Sequence, residues 1–190
     1  MFKGSIPAVI TPFDGKQVDY DSLTKVLIHL IDNGSHGLVP CGTTGESPTL
    51  SHNEHKKIIE ETIKITDKRI PVIAGTGSNN TLEAIDYTNH AEKSGADASL
   101  IVTPYYNKPT QSGLYEHFKI IADKTNIPII VYNIPGRSIV DMNIETMIKL
   151  SKLKILLELR MQLMIYLDHY LLEKKCRVNF VISLEKMEPL

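Results

Sequence analysis

A short apolar stretch, a polar loop marked by glycine or proline, then a segment of helical periodicity: this unit occurs five times between Met1 and Lys154 and then stops. The apolar stretches are 6–11, 37–40, 70–74, 99–103 and 127–132. They are apolar nearly throughout, as in Pro71-Val-Ile-Ala74, which suits parallel strands covered on both faces. All eleven glycines lie at or before Gly136, and nine of the ten prolines lie at or before Pro135. Helix signals are legible. Ser51-His-Asn-Glu54 reads as a capping box and Asn80-Thr-Leu-Glu83 as a weaker one. Helices should stop at Asn33-Gly34 and Ser94-Gly95 in left-handed turns. One unit takes roughly thirty residues, the scale of a strand plus its crossover helix. Two α/β folds use such units, an open doubly wound sheet and a closed (β/α)8 TIM barrel. No G-x-G-x-x-G follows the first strand, and polar residues recur after every strand: Thr11; Thr43, Thr44 and Glu46; Thr76; Tyr105, Tyr106 and Asn107; Tyr132, Asn133 and Arg137. A ring of loops at the carboxyl ends of the strands favours the barrel.

A formal net charge of −1 and pI near 6.7 give no reason to expect nucleic acid or an acidic membrane as partner. Two cysteines, Cys41 and Cys176, form no disulfide framework and suggest a reducing compartment. No segment approaches the ~20 apolar residues of a membrane span, and the N-terminus reads as a first strand, not a leader. The expectation is a cytoplasmic protein.

Three loops carry chemistry. Cys41-Gly-Thr-Thr-Gly-Glu46 offers hydroxyls and backbone N–H groups in a tight turn, able to hold a carboxylate or pass a proton; its threonines could equally satisfy their own backbone. Thr103-Pro-Tyr-Tyr-Asn-Lys-Pro109 sets two tyrosines side by side. On an extended segment they point to opposite sides, one to the site and one to a partner or helix. Val131-Tyr-Asn-Ile-Pro-Gly-Arg137 joins a strand-end tyrosine, a candidate acid–base, to an arginine able to clamp a carboxylate. His52 and His55 share His-x-x-His spacing, but no third ligand stands at a supporting distance, so an exposed polar helix face is expected and no metal.

Gly42-Thr-Thr-Gly-Glu46, Pro71-Val-Ile-Ala-Gly-Thr-Gly77, Thr103-Pro-Tyr-Tyr-Asn107 and Tyr132-Asn-Ile-Pro-Gly-Arg137, in this order, resemble the dihydrodipicolinate synthase family of pyruvate-dependent (β/α)8 aldolases. The resemblance covers about residues 6–154. It implies a Schiff-base lyase of the diaminopimelate and lysine pathway, condensing pyruvate with L-aspartate 4-semialdehyde and using no cofactor. Carried over by motif, Thr44, Tyr132 and Tyr106 form a proton relay, Tyr106 reaching in from a neighbouring subunit. Thr43 holds the pyruvate carboxylate and Arg137 that of the second substrate. The resemblance further implies a homotetramer, and a lysine effector site of Ser47, His52, His55, Asn79, Glu83 and Tyr105. An aldolase of the N-acetylneuraminate lyase type is the alternative within the superfamily. A lysine-binding or subunit-interaction fragment without catalysis is the alternative outside it.

The family's Schiff-base lysine ends a Gly-x-Lys strand a little over twenty residues after the arginine. Here that place falls in Lys154-Ile-Leu-Leu-Glu-Leu-Arg160, with Arg160 near the lysine's position. A guanidinium stays protonated (pKa above ~12) and cannot attack a carbonyl. Lys154, six residues back, would stand on the order of 20 Å from the loop ring. After Lys154 glycine and alanine vanish. The chain therefore reads as a truncated barrel domain, 1–154, with the first and fifth strands left as edges. An aberrant tail, 155–190, follows. Either the reading frame shifts near codon 155, or a natural helical segment replaces the barrel, with Leu156, Leu159, Leu163 and Leu167 on one face.

Overall fold

A computed structural model describes residues 2–153, 156–161 and 179–182. The chain divides into two compact units, Met1–Thr76 with Ile85–Leu100, and Gly77–Ala84 with Ile101–Leu190.

In the first unit the chain pairs in parallel at Ala8 with Val39 and at Leu38 with Val72. A small hairpin, β1 (Phe13–Asp14) with β2 (Gln17–Val18), follows the first strand position and turns at Gly15 (φ 60°). The repeat gave no sign of it. Helix α1 (Tyr20–Asp32) starts on Asp19, whose carboxylate accepts from the Ser22 N–H at 2.9 Å. It stops before Gly34 (φ 83°), as expected. Helix α2 (His52–Thr66) carries the complete Ser51–Glu54 capping box. Strand β3 (Ile73–Gly75) follows, then helix α3 (Thr81–Ser94) from Ile85 onward and strand β4 (Ala98–Val102) up to Leu100. β3 pairs with β4 in parallel, Ala74 opposite Ser99. Apolar spacing decides what is covered. Leu23 and Leu27 on α1, and Ile58 and Ile59 on α2, close over Val9, Leu38 and Ala74 in one buried cluster. At roughly 2 kcal/mol per fully buried aliphatic side chain, that cluster is the main force holding the helices on the strands.

The second unit contains α4 (Gln111–Lys124), capped by Thr110, and β5 (Ile129–Asn133), buried at four of its five positions. After them come the single turn α5 (Pro135–Ser138) and α6 (Ile144–Leu150), capped by Asn143. The Thr103 N–H donates to the Tyr132 carbonyl at 3.0 Å, holding the residue after β4 against β5. Two further strands are described, β6 (Leu156–Met161) and β7 (Asn179–Ile182), and β5, β6 and β7 pair successively in parallel.

The last two strands correct two expectations. The tail was expected to be helical, yet 156–161 and 179–182 are strands. Leucine at 157 and 159 and methionine at 161 alternate with Glu158 and Arg160, and this period of two prevails over the wider leucine spacing. Leu163 and Leu167 lie outside the described residues, as does Cys176. The fifth strand is also no edge, because β6 covers it.

Candidate active site

The loop after the second strand position is fixed by backbone. Gly45 N–H donates to Gly42 O and Glu46 N–H to Thr43 O, each at 3.1 Å. Cys41 and Glu46 both sit at φ 54°. Two outside contacts tie the turn down: the buried Thr11 hydroxyl donates to Gly45 O at 2.7 Å, and Gly75 N–H donates to Pro40 O at 2.9 Å. The approach is close. A Cβ on Gly75 would stand 2.3 Å from the Cys41 carbonyl oxygen, so only glycine fits there. Thr43 and Thr44 are both exposed on this clamped turn. Cys41 is buried, and burial pushes its thiol far above the usual range, which removes it as a nucleophile.

His55 departs from its expected exposed position. It is 2% exposed, stacks on Tyr87 at 4.0 Å, and its Nε2 stands 2.8 Å from the Gly75 carbonyl oxygen. His52 is exposed, 5.3 Å from the same Tyr87 ring, and Ser47 is half-buried at the start of a 3-10 turn. Among the described residues no group of three or more His, Cys, Asp or Glu side chains could hold a metal ion.

In the second unit the loop after β4 is held by side chains. Asn107 Nδ2 donates to Asn79 O at 3.0 Å, and Asn79 Nδ2 to Asn107 Oδ1 at 3.3 Å. Tyr105 is half-buried. Burial raises its phenol pKa, the Glu83 carboxylate adds to the rise, and a backbone hydrogen bond with Asn79 opposes it. Glu83 accepts from the buried Ser78 hydroxyl, while Asn80 Oδ1 caps the Leu82 N–H at 3.0 Å. Asn79, Glu83 and Tyr105 are thus gathered in one place. Tyr106 does not lie on an extended segment as expected. Its φ is 67°, and the side chain is 85% exposed. Tyr132 is half-buried at the carboxyl end of β5, and Arg137 is exposed on α5. In the ladder with β6, the backbone of Arg160 is the partner of Tyr132.

Several holding contacts were not anticipated. Thr76, Thr88 and Ser99 join hydroxyls in a sealed row, at 2.9 and 2.7 Å from the Thr76 oxygen. Asn133 Nδ2 donates to Asp141 Oδ1 at 2.7 Å, fixing the stretch after α5. Only three-dimensional pairing reveals such partners, since the residues stand eight to twenty-three apart in sequence.

The model of the dihydrodipicolinate synthetase family matches residues 1–182. The chain belongs to the dihydrodipicolinate synthetase family. That match runs beyond the 6–154 stretch that carried the motif resemblance. Among curated relatives, a 4-hydroxy-tetrahydrodipicolinate synthase of Rhizobium meliloti (strain 1021) is 62% identical over 153 residues, 80% of this chain and 52% of the relative. One of Pelagibacter ubique (strain HTCC1062) is 61% identical over 154 residues, 81% of this chain and 53% of the relative. The chain spans about half the length of these relatives. Among solved structures, a dihydrodipicolinate synthase from Aquifex aeolicus superposes with a TM-score of 0.91 at 47% identity, covering 95% of this chain and 62% of that one. A chloride-inhibited dihydrodipicolinate synthase from Acinetobacter baumannii, complexed with pyruvate, gives 0.89 at 43% identity, covering 95% and 64%. The fold of this dihydrodipicolinate synthetase family chain is therefore part of a TIM barrel. Among the described residues no helix is long and apolar enough to cross a membrane.

Proposed function

We propose that the first five strand–helix units are those of a 4-hydroxy-tetrahydrodipicolinate synthase, condensing pyruvate with L-aspartate 4-semialdehyde through a lysine imine. The observation that carries this reading is the 62% identity over 153 residues to a protein of that name. The loop chemistry supports it. Thr44, Tyr132 and Tyr106 are hydroxyls fit to relay a proton, while Thr43 and Arg137 are fit to hold carboxylates. Exposed Tyr106 and Leu82 (76% exposed) suit contact with a second copy in a cytoplasmic homo-oligomer. In this chain position 160, near the place of the family's Schiff-base lysine, holds an arginine. The 190-residue chain accordingly binds pyruvate without capturing it. Borohydride treatment with pyruvate, followed by peptide mass spectrometry, is the test. No covalent adduct is expected on this chain, and an adduct on any lysine would overturn the assignment of inactivity.

A second reading draws on Asn79, Glu83 and Tyr105, a carboxylate beside a phenol and an amide. Such a group suits an ammonium, so lysine binding without turnover is the expected residual property. Calorimetry with L-lysine, repeated on Glu83→Gln, reads it.

A further inference from the structure

The eighteen glycines and alanines of the chain, eleven glycines and seven alanines, all stand in residues 1–154, and none stands in 155–190. A working strand–helix domain needs these residues for its turns and close packing. Their abrupt loss points to the reading frame rather than to selection on the protein. The genetic code allows the displaced frames to be tested from the amino acids alone.

Two displaced frames exist. One takes the last two bases of each codon with the first base of the next. Met164 (ATG) followed by Ile165 (AT and a third base) then writes TGA, a stop. Nor can that frame place a lysine anywhere between 155 and that stop. Lysine would need a codon ending AA before one beginning with A or G, and the only codons there able to end in AA, those of Glu158 and Gln162, both precede leucine.

The other frame takes the last base of each codon with the first two of the next. It is forced to write alanine across Met161 and Gln162 (G then CA), aspartate across Met164 and Ile165, and glycine across Met187 and Glu188. The missing small residues return. Across Leu157 and Glu158 this frame can write only glycine or arginine if it stays open. Across Glu158 and Leu159 it can write only isoleucine, valine, threonine or alanine. A lysine needs an A before a codon beginning AA or AG. Between 155 and 172 that occurs at a single junction, Leu159 with Arg160. Loss of one nucleotide keeps the numbering in register, so this lysine would be residue 160, two after the permitted glycine. The backbone of position 160 pairs with Tyr132 across neighbouring parallel strands, which stand about 4.8 Å apart.

We infer that the tail is read one nucleotide out of frame and that the displaced frame supplies a lysine at position 160, on the strand beside Tyr132. The inference rests on the synthase reading above for what that lysine does. Its uncharged amine adds to the keto carbon of pyruvate and expels water, and the resulting imine is the electron sink an arginine cannot provide. The frame itself stands on codon arithmetic.

Sequencing the gene across codons 150–190 tests the frame directly. The expected result is an A closing codon 159 and AG opening codon 160, with this frame open through codon 190. A stop, or any other residue at that junction, overturns the inference. The frame-restored gene, expressed whole, then tests the chemistry. Pyruvate and borohydride should leave one reduced pyruvyl group on the new lysine, lost completely when that lysine is replaced by arginine. A lysine codon with no adduct would leave the frame standing and sink the synthase reading instead.

Discussion

The two loops that bear the candidate hydroxyls are built by opposite means. The loop of Thr43 and Thr44 is clamped by backbone: two turn hydrogen bonds, one buried threonine, and a Gly75 so close to Cys41 that no side chain fits. The loop of Tyr105 and Tyr106 is held by side chains, an Asn79–Asn107 pair and a half-buried phenol, and it tolerates positive φ at Tyr106 and Lys108. The first loop should therefore resist deformation and fail abruptly when its packing is breached. The second should yield by degrees. A rigid loop and an adjustable one follow from those constructions.

The sharpest way to break the contrast is Gly75→Ala. The new Cβ would lie 2.3 Å from the Cys41 carbonyl oxygen, and neither partner is the end of a flexible side chain. A loss of about 3 kcal/mol or more is expected in urea unfolding, at the upper end of overpacking effects. Gly42→Ala is the control, its Cβ meeting only the Val39 side chain at 3.7 Å, and it should cost under about 1 kcal/mol. Equal losses at both positions would remove the steric lock from the account of the first loop.

The second unit has a pH-dependent counterpart. His117 is 5% exposed, its Nδ1 lies 2.9 Å from the Thr81 hydroxyl, and burial lowers its pKa to about 4. The folded value lies below the unfolded one near 6.5. Its contribution is thus fully present above pH 6.5 and is lost as pH falls towards 4. Over that window about 3 kcal/mol of stability should drain away, since one pKa unit corresponds to ~1.4 kcal/mol. His117→Leu should flatten that part of the stability–pH profile, whereas the loop of Thr43 and Thr44, which owes nothing to this histidine, should keep its exchange protection until global unfolding.

Legibility followed the physics of range. Local rules placed what they govern: the Ser51–Glu54 box, the stops at Gly34 and Gly95, and the five strand–helix units. They also marked the polar residues after each strand, because alternation and capping are written in neighbouring residues. Partners distant in sequence were invisible. Nothing in His-x-x-His tells that His55 turns inward to Gly75 while His52 stays out. Nothing in Tyr105-Tyr106 tells that the backbone twists to positive φ between them. The expected helix after residue 154 failed for another reason. Leucines at 156, 159, 163 and 167 satisfy a helical template by composition, and strand pairing with β5 outweighed that weak preference over 156–161.

Between these extremes stands the Thr11 hydroxyl, a buried side chain that anchors the backbone-built loop. Thr11→Val keeps the shape but leaves the Gly45 carbonyl without its 2.7 Å donor in a buried setting, for an expected cost of about 1–2 kcal/mol.

The mildest effect belongs to the side-chain-built loop. Asn107→Ala deletes both bonds to Asn79, but they lie at the surface, where water replaces them, so the global loss should stay below about 1 kcal/mol. The local consequence should be larger than the global one. With the tether gone, Tyr106 and Lys108 lose the reason to remain at positive φ, and limited proteolysis should cut at 105–108 several times faster with almost unchanged melting. A variant that melted as early as Thr11→Val would mean that this loop, too, is part of the rigid frame, and the distinction between rigid and adjustable loop would have to go.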